Sequence, residues 1–425
     1  MLKKILGTVG TRYLIAFLNL LLIFINGKVL GIEGMGLVGV IYTSANIAVI
    51  CNSILCGNTI IYFMNRYHFG YAFWFAYIWA FIGSAIACMI MAFSGMLPAG
   101  FEFEIYSLSI LLSLVTVHSR VLLGKDRIRA FNITYMIQGG LLFFVLLYFY
   151  FLVEKKDAEA YVWGLFVTNG AAWVVSLILM MPSLRSGTKI PAPESVGKLL
   201  KEMFVYGLWS SADNLAEGLT NRLNYFLLQR LGGYGYVGLL DAGTKISESV
   251  WHISRSVSSI SYSQTAKTED TAAQCQMTLR YFKLTYCALI SVMGIIFFIP
   301  EWVYTDYLFK PEFKGIQHVI RCLSAGIVAL GANHVFSMYF LATGKVKYST
   351  VCSCLGLITL LTSGYFLIPL YGVSGAAIST SIAFTVMLVI LLTAFAKLTN
   401  VGLKEFLPAK DDFKRVKEMF RQKRP

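Results

Sequence analysis

The chain has 425 residues, of which 57% are hydrophobic and only 14% are charged, and its mean hydropathy is +0.67. Soluble domains average about 25% charged residues, so the composition excludes a soluble globular protein and indicates an integral membrane protein. The formal net charge of +14 is interpreted as a signal of membrane topology and of contact with anionic lipid, and not as a nucleic-acid footprint.

Apolar segments follow one another along the whole chain, and each is long enough for a spanning helix of about 20 residues. The chain is therefore predicted to be all-α and polytopic, with about 12 transmembrane helices. The predicted spans are 5–30, 36–62, 71–97, 104–124, 131–153, 158–181, 203–231, 236–262, 279–305, 317–342, 348–370 and 373–397.

Basic residues are distributed unevenly between the connections of these spans. With the N-terminus placed inside, most Lys and Arg residues fall in the inside connections and in the C-terminal tail. The positive-inside rule then predicts that both termini are cytoplasmic.

A short internal repeat divides the spans into two halves. The segment Leu30–Gly34 matches Leu231–Gly235 at an offset of 201 residues. Each half then holds six spans, an even number, so the halves share one orientation and are expected to be related by a pseudo-two-fold axis along the membrane normal. The predicted organisation is an N-terminal six-helix half at 1–185, a cytoplasmic linker with an amphipathic turn at 186–202, a C-terminal six-helix half at 203–397 and a basic cytoplasmic tail at 398–425.

One stretch, residues 213–255, carries far more polar groups than a lipid-facing helix tolerates. Each ionised side chain near the centre of a span costs about 2.5–3.5 kcal/mol on insertion scales, so these groups must pair or face water or a polar ligand. Their spacing places them on two helix faces. One face holds Asp213, Glu217, Asn221 and Asn224, and the other holds Asp241, Lys245, Glu248, His252 and Arg255.

Glycine-rich motifs near the ends of several spans resemble those of a known transporter family. They are Lys28–Gly36 after the first span, Arg230–Gly238 and Asp241–Ile246 after the seventh, and Ile368–Ala377 before the last. Over most of its length the chain resembles the bacterial lipid-linked oligosaccharide flippases (O-antigen, Wzx-like) of the multidrug/oligosaccharidyl-lipid/polysaccharide transporter superfamily. One departure is Ser258–Tyr262, where relatives often close the eighth span with Leu-Pro.

The resemblance implies a MATE-like fold and a transporter, not an enzyme. It implies that undecaprenyl-diphosphate-linked oligosaccharide is flipped from the cytoplasmic to the outer leaflet of the bacterial inner membrane by alternating access, for O-antigen or capsule synthesis. The partners that it implies are this lipid-linked oligosaccharide, membrane lipids and other polysaccharide-assembly proteins, and the functional unit that it implies is a monomer.

Such a cargo carries a dianionic diphosphate and a polar glycan. Arg recognises phosphate through a bidentate fork, and Lys through a compact charge. We therefore expect the deep basic residues to hold the diphosphate and several Asn side chains to contact sugar. The candidates are Arg12, Arg222, Lys245 and Arg255 for the anion, and Asn19, Asn46, Asn214 and Asn224 for the sugar.

The carboxylates of the same stretch are expected to form ion pairs. Asp241 and Lys245 are i,i+4 neighbours, and so are Glu248 and His252, which favours pairing within one helix. Two interpretations remain open: a salt-bridged seam between spans seven and eight, or a cavity wall whose pairs exchange during transport. Binding of a coupling proton or Na⁺ is a further role for some of these acids. The four carboxylates are Asp213, Glu217, Asp241 and Glu248.

Other functions compete with this interpretation. The main alternative is a cation-coupled multidrug exporter of the same superfamily, which would favour an acidic, aromatic pocket. A membrane glycan enzyme is disfavoured because the largest outer connection, around 305–316, is too short for a catalytic domain. No P-loop motif occurs, which disfavours direct use of ATP, and no His/Cys set has metal-ligand spacing, so no cofactor and no metal are expected.

Overall fold

The computed structural model describes residues 2–64, 69–185, 195–265, 268 and 270–406, with the backbone alone at 2–12, 69, 183–185, 263 and 403. Every regular element in this part of the chain is helical. The N-terminal half contains α1 (Leu2–Cys56), α2 (Asn58–Phe63), α3 (Phe69–Phe93), α4 (Glu102–Gly124), α5 (Ile128–Leu147) and α6 (Ala158–Arg185). The C-terminal half contains α7 (Val196–Arg222), α8 (Asn224–Glu248), α9 (Trp251–Thr265), α10 (Thr271–Phe298), α11 (Ile316–Ala342) and α12 (Lys347–Thr399).

Three of these helices are sharply kinked at a glycine. Gly31 in α1, Gly233 in α8 and Gly372 in α12 have φ values of 72°, 70° and 54°. Glycine reaches this left-handed region without a Cβ penalty, so the chain reverses between two antiparallel spans with hardly any loop. Divided there, α1 and α12 each supply two spans, and α7, α8 and α9 together supply the seventh and eighth. The all-α architecture of twelve spans in two halves is confirmed.

Eight helices of the described part of the chain are long and apolar enough to cross a membrane, and the two longest cover two spans each. The helices α7, α8 and α9 are not among them. The polar residues of 213–255 lower the hydropathy of α7 and α8, and α9, with 15 residues, is too short. The polar stretch found in the sequence therefore runs from within α7 through α8 into α9.

The two halves meet backbone to backbone at the end of the bundle that carries the Gly31 and Gly233 kinks, which we call the kink end. A Cβ on Gly36 would overlap the carbonyl oxygen of Tyr234, and a Cβ on Gly238 would overlap the carbonyl oxygen of Ile32. The two glycines lie 202 residues apart in the sequence, and so do the two residues whose carbonyls they meet. The pseudo-two-fold axis therefore relates one contact to the other.

These paired contacts change the offset expected for the repeat from 201 to 202 residues. The left-handed glycines are Gly31 and Gly233, which lie 202 residues apart, whereas the motif match paired Gly31 with Gly232. Either glycine of the Gly232-Gly233 pair can adopt a positive φ, and the close contact of Gly238 with α1 selects the second.

At the opposite end the halves touch through fewer groups. Gly207 of α7 lies against the carbonyl oxygen of Ile54, and the rings of Tyr62 and Tyr206 stack with centroids 4.4 Å apart. Between α1 and α9, a hydrogen bond of 3.2 Å joins the hydroxyls of Tyr13 and Ser256. The two halves are therefore in contact at both ends of the bundle.

The expected linker is partly helical. The helix α7 begins at Val196, and Ser195 caps it, because the Ser195 hydroxyl accepts a hydrogen bond of 3.4 Å from the Lys198 amide. The amphipathic turn expected within 186–202 is thus the first part of α7, continuous with span seven. Residues 186–194 of the linker and 407–425 of the expected basic tail lie outside the described residues.

Candidate functional site

A cavity of about 460 Å³ lies between the halves. The N-terminal half contributes residues of α1, α4, α5 and α6, and the C-terminal half contributes residues of α8 and α9. The α8–α9 segment reaches the cavity where the helix breaks at Ser249 and Val250. Lining residues lie on both sides of this break, Lys245 and Glu248 before it and His252 and Arg255 after it.

Among the side chains that the structure describes, charge is confined to one wall of this cavity. The C-terminal wall holds Lys245, Glu248, His252 and Arg255, four of the five residues expected to share a helix face. The lining residues that the structure describes in the N-terminal half are all uncharged. Their polar members are Asn19, Asn26, Tyr42, Asn46, Thr116, Tyr135, Gln138, Tyr161 and Asn169.

Behind the charged wall, a chain of polar contacts joins α7 to α8. Arg222 donates to Glu248 at 2.6 Å and to the Tyr225 hydroxyl at 3.0 Å. Tyr225 in turn donates to one oxygen of Asp241 at 3.0 Å, and Lys245 pairs with the other oxygen at 2.7 Å. The expected Asp241–Lys245 pair is present, whereas Glu248 pairs with Arg222 across the two helices instead of with His252.

This network is buried enough to matter for stability. The side chain of Asp241 is 2% exposed, and those of Arg222 and Glu248 are 25% and 17% exposed. Removing one partner from a buried ion pair leaves an uncompensated charge and typically costs about 3–5 kcal/mol. Asp241 also lies beside its own repeat counterpart, because a Cβ on Gly39 would be 3.3 Å from the Asp241 Cγ. The network is therefore centred near the pseudo-two-fold axis.

Arg222 and Lys245 pair with carboxylates, whereas Arg255 contacts an aromatic ring. Its guanidinium lies 5.9 Å from the centre of the Trp251 ring, and its side chain is exposed to the cavity. No carboxylate lies within ion-pair distance of Arg255 among the side chains that the structure describes. Arg255 is thus a cation with free donors that faces a wall whose described side chains are neutral, many of them polar.

Asp213 and Glu217 point away from the cavity into the C-terminal half. Asp213 accepts hydrogen bonds from Ser349 at 3.0 Å and from Ser353 at 2.6 Å, both on α12. Glu217 lies 3.6 Å from Nε2 of His334 on α11. These acids form a second polar cluster, separate from the Arg222–Glu248 network, and Asp213 contacts hydroxyls of α12.

Trp251 lies between the cavity and this second cluster. Its indole donates to the Ile327 carbonyl at 2.8 Å, and its ring meets the His334 ring edge-on with centroids 5.9 Å apart. Arg255 covers the ring on the cavity side. The anchored Trp251 ring therefore separates Arg255, on the cavity side, from the His334–Glu217 pair on the other side.

The structure separates the expected sugar-contacting residues. Asn19 and Asn46 line the cavity, and the Asn46 amide donates to its own helix at Tyr42. Asn214 is exposed on α7 and does not line the cavity. Asn224 is 3% exposed and packs α8 against α12.

The position of Asn224 has a clear physical cause. Its amide nitrogen donates to the Ala376 carbonyl at 3.0 Å, to the Ser379 hydroxyl at 3.0 Å and to the Thr380 hydroxyl at 2.9 Å. Its amide nitrogen is engaged within the helix pair and the residue is 3% exposed, so in this conformation it has no surface to offer a sugar. Among the expected cations, Arg222 lies behind the cavity wall, and the side chain of Arg12 lies outside the described residues.

Several cavity residues were not expected from the sequence. Gln138 of α5 donates to Asn169 of α6 at 3.2 Å, and both line the cavity. Tyr225, which bridges the ion pairs, and His334, which faces Glu217, were also missed. For Gln138 and Asn169 a signal existed, namely an isolated amide within an otherwise apolar span, whereas Tyr225 and His334 carried none that distinguishes them from packing residues.

No protein-family model matches the chain, and no curated protein matches it. Solved structures do match. The chain is similar to an inward-facing multidrug resistance MATE family transporter of the MOP superfamily, with a TM-score of 0.71, 14% identity, and coverage of 91% of this chain and 94% of that chain. It is also similar to the MATE multidrug transporter DinF-BH, solved as a complex, with a TM-score of 0.67, 15% identity, and coverage of 93% of this chain and 95% of that chain.

A flippase shares the same architecture. The lipid II flippase MurJ, in an inward closed conformation, matches with a TM-score of 0.67 and 13% identity, and the match covers 96% of this chain and 89% of that chain. At such identities the similarity shows the fold alone. The chain is a multi-pass helical membrane protein with the two-half fold shared by MATE transporters and the lipid II flippase.

Proposed function

We propose that this chain is a transporter of the MOP superfamily that flips undecaprenyl-diphosphate-linked oligosaccharide between membrane leaflets. The observation that supports the proposal is the division of charge among the described side chains of the cavity: Arg255 offers free donors on one wall, and the described side chains of the facing wall are uncharged and rich in amides. An amphipathic cargo with a dianionic diphosphate and a hydroxyl-rich glycan matches such a cavity on both sides.

Each wall has a defined role in this proposal. Arg255 binds a phosphate through its guanidinium fork, and Lys245 adds a second charge when it leaves Asp241. Asn19, Asn46 and Gln138 hydrogen-bond to sugar hydroxyls across the cavity. Rocking of the two halves about the contact at the kink end then exposes the cavity to one leaflet and afterwards to the other.

The proposed setting follows from the distribution of basic residues. Both termini are cytoplasmic, the kink end faces the outside, and the protein lies in the bacterial cytoplasmic membrane. The cargo moves from the cytoplasmic to the outer leaflet, where polysaccharide-assembly proteins consume it in O-antigen or capsule synthesis. The functional unit is a monomer, because one chain supplies both walls of the cavity.

We further propose that Asp213 and Glu217 hold the coupling ion, a proton or Na⁺. Asp213 gathers two hydroxyls from α12, and Glu217 faces His334. Carboxylate and hydroxyl oxygens suit a hard cation, and a His–Glu pair suits a proton. A cluster that lies outside the cargo cavity can gain or lose its ion while the cavity is occupied.

A cation-coupled multidrug exporter is the second candidate. Glu248 lines the cavity together with aromatic side chains such as Tyr42, Tyr135 and Trp251, and a flat organic cation would fit between them. The ion pair of Glu248 with Arg222 at 2.6 Å weighs against it, because the cavity carboxylate is already neutralised.

Reconstituted protein tests the choice between these candidates. Proteoliposomes are loaded with fluorescent undecaprenyl-diphosphate-linked oligosaccharide, and chemical quenching of the outer leaflet measures flipping. We expect flipping by the wild type and at least a tenfold loss in Arg255→Gln. Arg321→Gln is the matched control, because Arg321 is also exposed and lies 5.3 Å from an aromatic ring, that of Phe297, but does not line the cavity.

The exporter is tested in the same vesicles with a fluorescent cationic dye of the rhodamine class under an imposed proton or Na⁺ gradient. Wild-type vesicles that accumulate the dye, and that leave the lipid-linked oligosaccharide in its original leaflet, would favour the exporter. Equal flipping by wild type and Arg255→Gln would contradict the proposed anion site. We expect flipping without dye accumulation.

A further inference from the structure

The connection between α10 and α11 folds over the other half of the molecule. Residues 299–315 form two short helical turns, Val303–Leu308 and Pro311–Phe313, and both contact α1. The contact is made at the Gly31 kink, at the kink end of the bundle. A segment of the C-terminal half thus lies on the N-terminal half at the end where the two must part for the cavity to open outward.

Glu312 caps the helix that begins at this kink. Its Oε1 accepts a hydrogen bond of 3.0 Å from the backbone amide of Ile32. Ile32 is the first residue after Gly31, so its N–H is one of the donors that a helix start leaves without an intrahelical partner. A carboxylate at this position is favoured by the hydrogen bond and by the helix dipole.

Gly31 makes this approach sterically possible. A Cβ on Gly31 would lie 2.7 Å from Oε1 of Glu312, which is closer than a carbon and an oxygen can approach without displacement. The same residue has a φ of 72°, so glycine is needed here for the backbone turn, and a larger residue would also displace the carboxylate from its present position.

Below the cap, an aromatic side chain closes the contact. The Phe309 ring packs directly on Gly27, where a Cβ would overlap it. Its centroid is 5.5 Å from that of Phe24 on α1 and 4.7 Å from that of Phe313 in its own connection. Phe309 and Phe313 are 3% and 0% exposed, so this apolar contact between the halves is dry.

The connection is fixed to its own half. Glu301 accepts a hydrogen bond from the Gly315 backbone amide at the start of α11. The side chain of Gln317 donates to the Ile299 carbonyl at 2.8 Å. Cap and ring therefore move with the C-terminal half, and their contacts with α1 must break when the halves separate.

The equivalent kink in the C-terminal half lacks this contact. Gly233 is the counterpart of Gly31, and no heavy atom lies within 4 Å of a Cβ placed on it. Among the described residues, no side chain caps the helix that begins at Tyr234. One kink is thus covered by the opposite half and its counterpart is open, so the contact is not a requirement of the kink itself.

We propose that Glu312 and Phe309 form a latch that holds the kink end closed. The carboxylate on the Ile32 amide and the ring on Gly27 stabilise the state in which the halves touch there, and release of both precedes outward opening. This inference adds to the proposed alternating access, but it concerns the conformational equilibrium and not the cargo.

Distances between spin labels test the latch in the full chain without cargo. Labels at Phe103→Cys on α4 and Leu370→Cys on α12, two exposed positions on different halves, report opening of the kink end in a background without native cysteines. We expect Glu312→Ala to increase the population with the longer distance about fivefold. Glu312→Gln, which keeps a neutral acceptor, should lie between Glu312→Ala and the wild type.

Glu33→Ala is the matched control, because Glu33 is an exposed carboxylate two residues from the kink and is hydrogen-bonded to no described residue. An unchanged distribution in Glu312→Ala, or the same shift in Glu33→Ala, would overturn the latch. A disulfide between Gly27→Cys and Phe309→Cys provides a second test: it should abolish the longer distance until it is reduced, and persistence of that distance would also overturn the proposal. Neither readout needs cargo, so failure of the latch is distinct from failure of the proposed flipping activity.

Discussion

Arg222 of α7 and Glu248 of α8 form an ion pair of 2.6 Å behind the wall of the central cavity. The two residues lie on opposite sides of the Gly233 kink in the sequence, so the pair ties spans seven and eight together. It also removes Arg222 from the set of free cations and directs the proposed anion site to Arg255. One contact therefore determines both the stability of the wall and its chemistry.

The first prediction concerns this pair. Arg222→Met leaves the Glu248 carboxylate buried without its partner and should lower the free energy of unfolding by about 3–5 kcal/mol. The double variant Arg222→Met/Glu248→Met removes both charges and should recover most of that loss. Thermal unfolding of purified protein in detergent measures both, and a double variant less stable than the single one would contradict the pairing.

A second prediction concerns the backbone contact at the pseudo-two-fold axis. Gly36→Ala places a methyl group on the Tyr234 carbonyl, and forced overpacking of this kind typically costs about 1–3 kcal/mol. Gly294→Ala in α10 is the control, because no heavy atom lies within 4 Å of a Cβ there. We expect a lower melting temperature for Gly36→Ala and an unchanged or higher one for Gly294→Ala.

A third prediction separates two amides that look alike in the sequence. Asn224→Ala removes three hydrogen bonds between α8 and α12 and should cost about 1–3 kcal/mol of stability without weakening cargo binding. Gln138→Ala should weaken cargo binding with little effect on stability, because Gln138 lines the cavity. Melting curves and equilibrium binding of the lipid-linked oligosaccharide, measured on both variants, distinguish the two outcomes.

The fourth prediction concerns the second acidic cluster. Glu217→Gln and Asp213→Asn should make flipping insensitive to an imposed proton or Na⁺ gradient while cargo still binds, because neither side chain lines the cavity. Vesicles with opposite gradients across the membrane provide the measurement. If both variants retain the response of the wild type to the gradient, the coupling ion binds elsewhere.

The architecture was largely predictable because hydropathy is a local property of the chain. The twelve expected spans correspond to helical segments of the structure, and the polar face of span eight was anticipated from residue spacing. The repeat was placed one residue out of register, since Gly232 and Gly233 can each accept a positive φ. Only the fit of Gly238 against the Ile32 carbonyl distinguishes them.

The candidate site was less predictable, and Asn46 and Asn224 illustrate the reason. Both are amides within predicted spans, and spacing alone cannot show which neighbour each one meets. The rotation and depth of each helix place the Asn46 side chain in the cavity and the Asn224 side chain between α8 and α12. The unexpected latch residue Glu312 lies in a short connection whose partner, the Ile32 amide, is 280 residues away.

The sequence by itself determined that this protein is a membrane-embedded bundle of two similar halves with its charge concentrated in spans seven and eight, because insertion energy and helical periodicity depend on neighbours along the chain. The tertiary structure decided which of those charges are paired, which cation faces the cavity and which connection closes the kink end. Those outcomes depend on contacts between residues far apart in the chain, and only the packing of the two halves brings them together.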